Sequence, residues 1–394
     1  MPSAHANAFS LDSDVTYLNH GSFGACPKVV RAAQLAIMDE MERQPVRFFM
    51  RRLPELLERA RTCVAELVGA DALDIAFVRN ATEGVNAVAS SLRLAPGDEV
   101  LTTNHGYPAC KNALRHHAER AGAKLVVATL PFPVADEAEV ESAVLSCLSE
   151  RTRLLMIDHV TSPTALVLPV ERIVSAAEAR GIPTLVDGAH APGMLPLNLR
   201  ALGASYYTGN FHKWLCAPKA AGFLFVRRDR QEGLHPAVIS HGYSSTRPRS
   251  KLWEEFDWCG TGDFSATLCV PEALEFLRAQ LGSVEALMER NHALAVEGRK
   301  LLLHTLSLEP PAPEHMLGSM ATVSLPWPAP PPGSVFELDP LQTELLERFS
   351  IEVPIFAFPA PGQRCLRVSA QLYNDAQDYE RLAGALRQLG TVRH

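Results

Sequence analysis

The chain has 394 residues, 47% hydrophobic and 21% charged, an ordinary globular composition with length for two or three domains and a large buried core. Its net charge of −7 and its scattered lysines and arginines exclude a nucleic-acid footprint and leave no basis for an acidic polymer partner. The first fifteen residues carry no basic segment followed by an apolar one, and no apolar run reaches the ~18 residues of a membrane span, so neither secretion nor a membrane partner is expected.

Position 1–22 reads as an N-terminal arm. Two helices are predicted next, over 27–43, where Val29, Val30, Ala33, Ile37 and Met41 recur at near-helical spacing, and over 53–68, with Pro54 in its first turn. From there the texture changes to short apolar runs: IAFV at 75–78, EVLTT at 99–103, KLVVATL at 124–130, RLLMIDHV at 153–160, PTLVDGAH at 183–190, SYYTGN at 205–210 and GFLFV at 222–226. Helical stretches separate the earlier ones, such as those opening at Thr82 and spanning 169–180. This alternation predicts an α/β fold with a mostly parallel sheet of seven strands, and runs apolar throughout fit strands covered on both faces.

From about Asp263 the pattern shifts to helices over 270–281 and 284–303, a Pro-rich loop at 326–333, a helix over 340–349, a strand at 366–370 and a last helix from Asp375. The division expected is therefore the arm at 1–22, joining a smaller α+β domain at 263–394, and a large α/β domain at 23–262. Eight cysteines stand far apart with no CxxC pair, the pattern of reduced thiols in the cytoplasm.

Ligands of open α/β sheets bind outside the carboxyl ends of the strands, so residues at those junctions matter most. In RNATEGVN at 79–86, Asn80, Ala81 and Thr82 open a helix directly after a strand; its free amides and the Thr hydroxyl can hold a phosphate, and an ordinary N-cap is the equal alternative. In VDGAH, Asp187 ends an apolar strand, where a carboxylate can serve a metal, a helix cap or a cationic ring; alone, the cap or turn role is the commoner one. His190, three residues on, is equally ambiguous. In TGNFHKW at 208–214, Lys213 follows a strand among Phe211, Trp214 and Leu215; burial would free its amine for Schiff-base chemistry, while a snorkelling surface lysine is the plainer reading.

Taken in order, these blocks resemble the class V aminotransferases, fold-type I enzymes that use pyridoxal 5'-phosphate (PLP). The resemblance runs from LNHGSFG at 18–24 to LRVSAQLYN at 366–374, and within the family the chain is similar to the isopenicillin N epimerase-like proteins, which share LNHGSFG, NATEG and DGAH…HKW. It implies that Lys213 holds PLP as a Schiff base and moves the Cα proton, that Asp187 pairs with the ring nitrogen, and that His190 bonds the phenolic oxygen. It implies a phosphate site of Ala81 and Thr82 with Asn210 and His212, beside Asn80. His105 matches the position that stacks over the ring, with Tyr107 the competing candidate. Thr261, in WCGTGDFSA, matches a loop that reaches the neighbouring subunit's phosphate, which implies a homodimer with active sites at its interface. Arg367 matches the clamp for the substrate α-carboxylate, a task for a planar fork. Asn19 and His20 would lie near the substrate or simply form a turn beside Gly21.

The expected reaction is epimerisation at Cα of an amino-acid substrate, with a PLP-dependent C–S or β-lyase, like those acting on sulfoxides in ergothioneine assembly, as the alternative and transamination as a third. Epimerisation needs a second acid besides Lys213, for which Tyr107, His20 and Cys26 are the candidates. A cysteine desulfurase is disfavoured, because no cysteine lies between Cys269 and Cys365 and the latter falls on the Arg367 strand. A non-catalytic protein of the same fold would not require lysine, aspartate and arginine together. A metal-dependent hydrolase built on Asp158-His159 and Asp187–His190 lacks a ligand spacing such as H-E-x-x-H, so no metal is expected. The stretch STRPRSK at 245–251 with Gly242 and Tyr243, and Arg47, Arg51 and Arg52, read as solvated surface.

Overall fold

The computed structural model describes residues 3–330 and 337–392; the Pro-rich loop lies outside the described residues from position 331 to its end at 333. All seven apolar runs become strands of one sheet: β2 (Ile75–Val78), β3 (Glu99–Thr103), β4 (Lys124–Ala128), β5 (Thr152–Asp158), β6 (Thr184–Gly188), β7 (Tyr206–Asn210) and β8 (Gly222–Val226), after a two-residue β1 (Thr16–Tyr17). Their order is β2-β8-β7-β6-β5-β3-β4, and only β8 runs against its neighbours. β2, β3, β6 and β8 are buried along their whole length, as continuous apolar runs require, whereas edge strand β4 exposes Lys124 and Val127.

The helix Leu53–Val68 buries Leu57, Ala60, Val64 and Val68, one stripe at i, i+3, i+4 spacing, and each fully buried Leu or Val contributes about 1.5–3 kcal/mol. The helix Ala81–Ser91 lies so close to β7 that a Cβ on Gly84 would stand 2.3 Å from Thr208 Oγ1. No side chain fits there. The helix Val270–Leu281 places Val270, Ala273, Leu274 and Leu277 in the same apolar core as Leu57 and Val64.

A second core gathers around a three-stranded antiparallel sheet of β9 (Met320–Leu325), β11 (Ile355–Ala357) and β12 (Arg364–Ser369), with β12 central; it contains Val323, Leu366 and Val368 with Leu382 and Leu386 of the last helix, Ala376–Val392. The N-terminal arm touches both cores: Phe9 is buried in the first, with Ala6, Ala8 and Leu11 packed against it, whereas β1 pairs with β10 (Ile351–Glu352), Leu18 is buried in the second, and Ser369 donates its N–H to the Leu18 carbonyl. All eight cysteines are free thiols. No helix among the described residues is long and apolar enough to cross a membrane.

Candidate active site

β3, β5, β6 and β7 lie side by side in parallel with their carboxyl ends on one edge of the sheet, and β12 reaches that edge through Arg367, which bonds Ser162 after β5 and Ser22 at the end of the arm. Lys213 follows β7 in a loop whose neighbours Phe211, Trp214 and Leu215 are buried. Its amine lies 3.1 Å from His190 Nε2. The Trp214 indole, which can only donate, reaches His190 Nδ1 at 3.3 Å, so the neutral imidazole carries its proton on Nε2 and offers it to the lysine. The amine that accepts it must be unprotonated. Desolvation, with the Arg367 charge second, lowers the Lys213 pKa to about 7, and the same burial, with Lys213 next, keeps His190 well below its usual range.

The loop is pinned from the arm. His20, fully buried, meets the Lys213 carbonyl through Nε2 at 2.9 Å and the Tyr373 hydroxyl through Nδ1 at 2.7 Å, and burial pushes its pKa down to about 3. Gly24, at φ +71°, touches the same loop: a Cβ there would stand 2.0 Å from the His212 carbonyl oxygen. Asn19 donates to Glu352 and accepts from the Ser22 hydroxyl.

Asp187, the last but one residue of β6, is almost without exposure and accepts the Ala189 N–H at 3.0 Å and the Cys110 thiol at 3.2 Å; it has no ion-pair partner among the described residues. Burial raises its pKa, opposed by those two donors and by Lys213. The helix start after β2 is capped by Asn80, whose side chain accepts the Glu83 N–H at 3.0 Å, while Asn210 Oδ1 takes the Ala81 N–H at 2.8 Å. One residue on, the Thr82 hydroxyl meets the Cys110 thiol at 4.0 Å. His212 Nδ1 lies 3.1 Å from the Ala221 carbonyl, so its proton sits there, and burial lowers its pKa to about 4.

The two aromatic candidates part company. His105 is fully buried, its Nδ1 2.8 Å from Thr164 Oγ1 and its ring edge-on to Phe132 and Phe358. Tyr107, at the start of the helix Pro108–Arg120, is 44% exposed; burial, then Cys110 and Asp187, raise the pKa of its hydroxyl, and Arg367 opposes them. Arg367 is 1% exposed; its guanidinium bonds the Ser162 carbonyl and hydroxyl and the Ser22 hydroxyl at 3.1 Å, its Nε has no partner, and no carboxylate among the described residues pairs with it. Thr261 stands apart on an exposed loop, lining a cavity of about 250 Å³ with Arg79, Glu83 and Gly260. Cys26 and Cys365 are thiols held protonated by burial, up to about 11 and about 12, and Cys365 bonds the Phe358 carbonyl inside β12.

Sequence reasoning missed Cys110, Ser22 and Ser162 as site residues and considered Asp158 only as a metal ligand. Asp158 had one signal in common with Asp187, a carboxylate closing an apolar strand. Among the described residues no group of three or more His, Cys, Asp or Glu is placed to hold a metal ion.

Residues 18–326 match the family model described as Aminotransferase class-V. The chain is 38% identical to an isopenicillin N epimerase of Amycolatopsis lactamdurans, with 98% of each chain covered, and 31% identical to an L-cysteine desulfhydrase of Arabidopsis thaliana, covering 95% of this chain and 88% of that one. Among solved structures, the cystine C-S lyase C-DES in complex with its reaction product has the same fold, with a TM-score of 0.79 at 22% identity over 95% of this chain and 98% of that chain.

Proposed function

The chain belongs to the class-V aminotransferase family, and from that premise we propose that it is a PLP-dependent enzyme acting at Cα of an amino-acid substrate, epimerising it as its isopenicillin N epimerase relative is named to do. The observation that carries the reading is Arg367: a buried guanidinium, without a carboxylate partner among the described residues and close enough to depress the neighbouring lysine, suits the α-carboxylate of a substrate.

The residues fit the cofactor. A buried Asp187 without a cation among the described residues suits a pyridinium nitrogen, a neutral Lys213 suits an aldehyde, and the helix start at Asn80, Ala81 and Thr82 with Asn210 and His212 suits a phosphate. PLP, when bound, supplies an electrophilic carbon for amines and a ring that draws electrons from Cα. Lys213 would hold it through its amine and is the base for the Cα proton. Asp187 would pair with its ring nitrogen, and the His190 Nε2–H would serve its phenolic oxygen. Tyr107, 44% exposed, is the candidate for the open face and for the second acid, since His20 is spent on the Lys213 carbonyl and Cys26 on burial. His105 supports this face through Thr164 and Phe358.

Capture of PLP by the unloaded protein is expected to rise with pH through about 7 and to level off above it, because only the unprotonated amine attacks and burial has lowered its pKa. Rates followed by absorbance that still climb beyond pH 9, as for an ordinary lysine of pKa about 10.4, would refute this.

A second reading, C–S lyase, is favoured by the desulfhydrase relative and needs only one base. Incubating the loaded enzyme with a panel of L-amino acids, including L-cysteine, in deuterated water separates the two. Deuterium at Cα with inverted configuration is expected. Pyruvate and ammonia from cysteine would replace epimerase by lyase, and a keto acid with the amine form of the cofactor would indicate transamination.

The protein works in this reading as a cytoplasmic homodimer. Phe23, Val29, Leu35, Val46 and Met50 are exposed apolar side chains on the arm and the first helices, Val46 at 76%, and Thr261 lies on the loop that would reach the other copy. Light scattering that returns a monomer at micromolar concentration would remove the dimer.

A further inference from the structure

Asp158 is the last residue of β5 and Asp187 the last but one of β6, and the two are direct partners in the parallel register. Adjacent strands lie ~4.8 Å apart, so two carboxyl groups project side by side from one face of the sheet. Both are buried, Asp158 at 3% exposure. Two carboxylates sharing so dry a site do not both ionise, and the proton goes to the one less well supplied with donors.

The donors are unevenly divided. Asp187 receives the Ala189 N–H and the Cys110 thiol. Asp158 receives the Tyr107 N–H, at 3.3 Å on Oδ1, besides its own backbone N–H, and its Oδ2 has no partner among the described residues. The Thr102 hydroxyl, also without a partner among the described residues, and Asp158 Oδ2 lie 3.2 and 3.3 Å from the point where Gly106 lacks a Cβ. With no donor placed on Oδ2 to hold a negative charge, that oxygen is where a proton sits at least cost. The charged and titratable groups facing Asp158 agree with that placement. Asp187 on β6 opposes a second negative charge, while Lys111, on the helix after Tyr107, favours one more weakly than burial and Asp187 resist it. Cys110 stays a thiol beside both, and Lys213 interacts with each.

We propose that Asp158 is a positioning residue of this site: a neutral carboxylic acid that anchors Tyr107 through Oδ1 and keeps a proton on Oδ2, so that Asp187 alone carries the negative charge there. Its consequence for the cofactor rests on the reading of Asp187 given above; its protonation does not. The chain thereby sets two site groups at once. Tyr107 is fixed by its own backbone amide, and the ring-nitrogen partner remains a single, defined charge.

Infrared spectra of the full chain at pH 7, with and without added PLP, test it. A protonated carboxylic-acid carbonyl band, shifted in deuterated water, is expected in both states and is lost in Asp158→Asn. Absence of the band from the unaltered protein, or its survival in Asp158→Asn, overturns the proposal, and either result is independent of whether PLP is the cofactor. In the loaded enzyme Asp158→Ala, which removes the acceptor of the Tyr107 amide, is expected to lower kcat roughly 10- to 10²-fold. Asp158→Asn, a neutral group that keeps the acceptor, recovers the larger part of that loss; recovery no better than with alanine counts against the proposal. Should the alanine variant not fold, the infrared comparison decides alone.

Discussion

Lys213→Ala is expected to end covalent cofactor attachment and to lower turnover by about 10²–10⁴-fold. The residue is assigned two tasks that no neighbour can take over. His190, the nearest basic group at 3.1 Å, is a neutral imidazole whose Nδ1 is already used by Trp214, and burial holds it unprotonated. Lys219 is occupied at the Gly24 carbonyl. Borohydride reduction of the unaltered enzyme followed by peptide mass mapping is expected to place the label on the peptide that contains Lys213, and to find none in the alanine variant. A label on Lys111 or Lys219 instead would overturn the assignment. Because His20 grips the backbone carbonyl at 213 and not its side chain, the variant keeps its loop, and its thermal transition is expected to stay near that of the parent.

Arg367→Ala carries the second large effect. Truncating one member of a buried charge pair costs about 2–5 kcal/mol, roughly 30- to several-thousand-fold in kcat/KM. Most of it is expected in KM, since the arginine holds a group that does not react. The decisive comparison uses an amino acid and the amine that lacks its carboxylate. The unaltered enzyme should prefer the acid strongly, and the variant should barely distinguish them. A preference that survives the substitution would show that the carboxylate is held elsewhere. The Ser162 and Ser22 contacts make part of any loss structural, so the amount of cofactor bound is the control: it should be unchanged, because Arg367 touches neither Asp187 nor the Thr82 helix start, while capture moves to higher pH with the Arg367 charge gone from beside Lys213.

Much of the architecture was legible in the order of residues. The seven strands of the large sheet could be located because a strand covered on both faces must be apolar along its length, and the helix 53–68 because its buried stripe recurs every three or four positions. The second sheet was harder. β12 was visible as LRVSA, but β9 and β11 read weakly, being a six-residue and a three-residue strand whose pairing with β12 defines them. The arm's attachment by β1 and Leu18 joins residues more than 300 positions apart, which no local pattern records.

For the site, the residue types at the strand ends left each role open; it was their order, resembling that of the class V aminotransferases, that implied parts for a lysine, a carboxylate, a phosphate-type helix start and an arginine on a late strand. The fold gives residues that look alike in sequence different surroundings. His105 and Tyr107 are two positions apart, yet one is sealed against Phe132 and Phe358 and the other is 44% exposed. His20 and His190 are both buried, but one holds a backbone carbonyl and the other an amine. Asp158 and Asp187 lie at the ends of neighbouring strands in register and differ in the donors that reach them. Side-chain type follows from the sequence alone; protonation, tautomer and free valence depend on burial and on partners brought from distant segments, and these exist only once the chain has closed on itself.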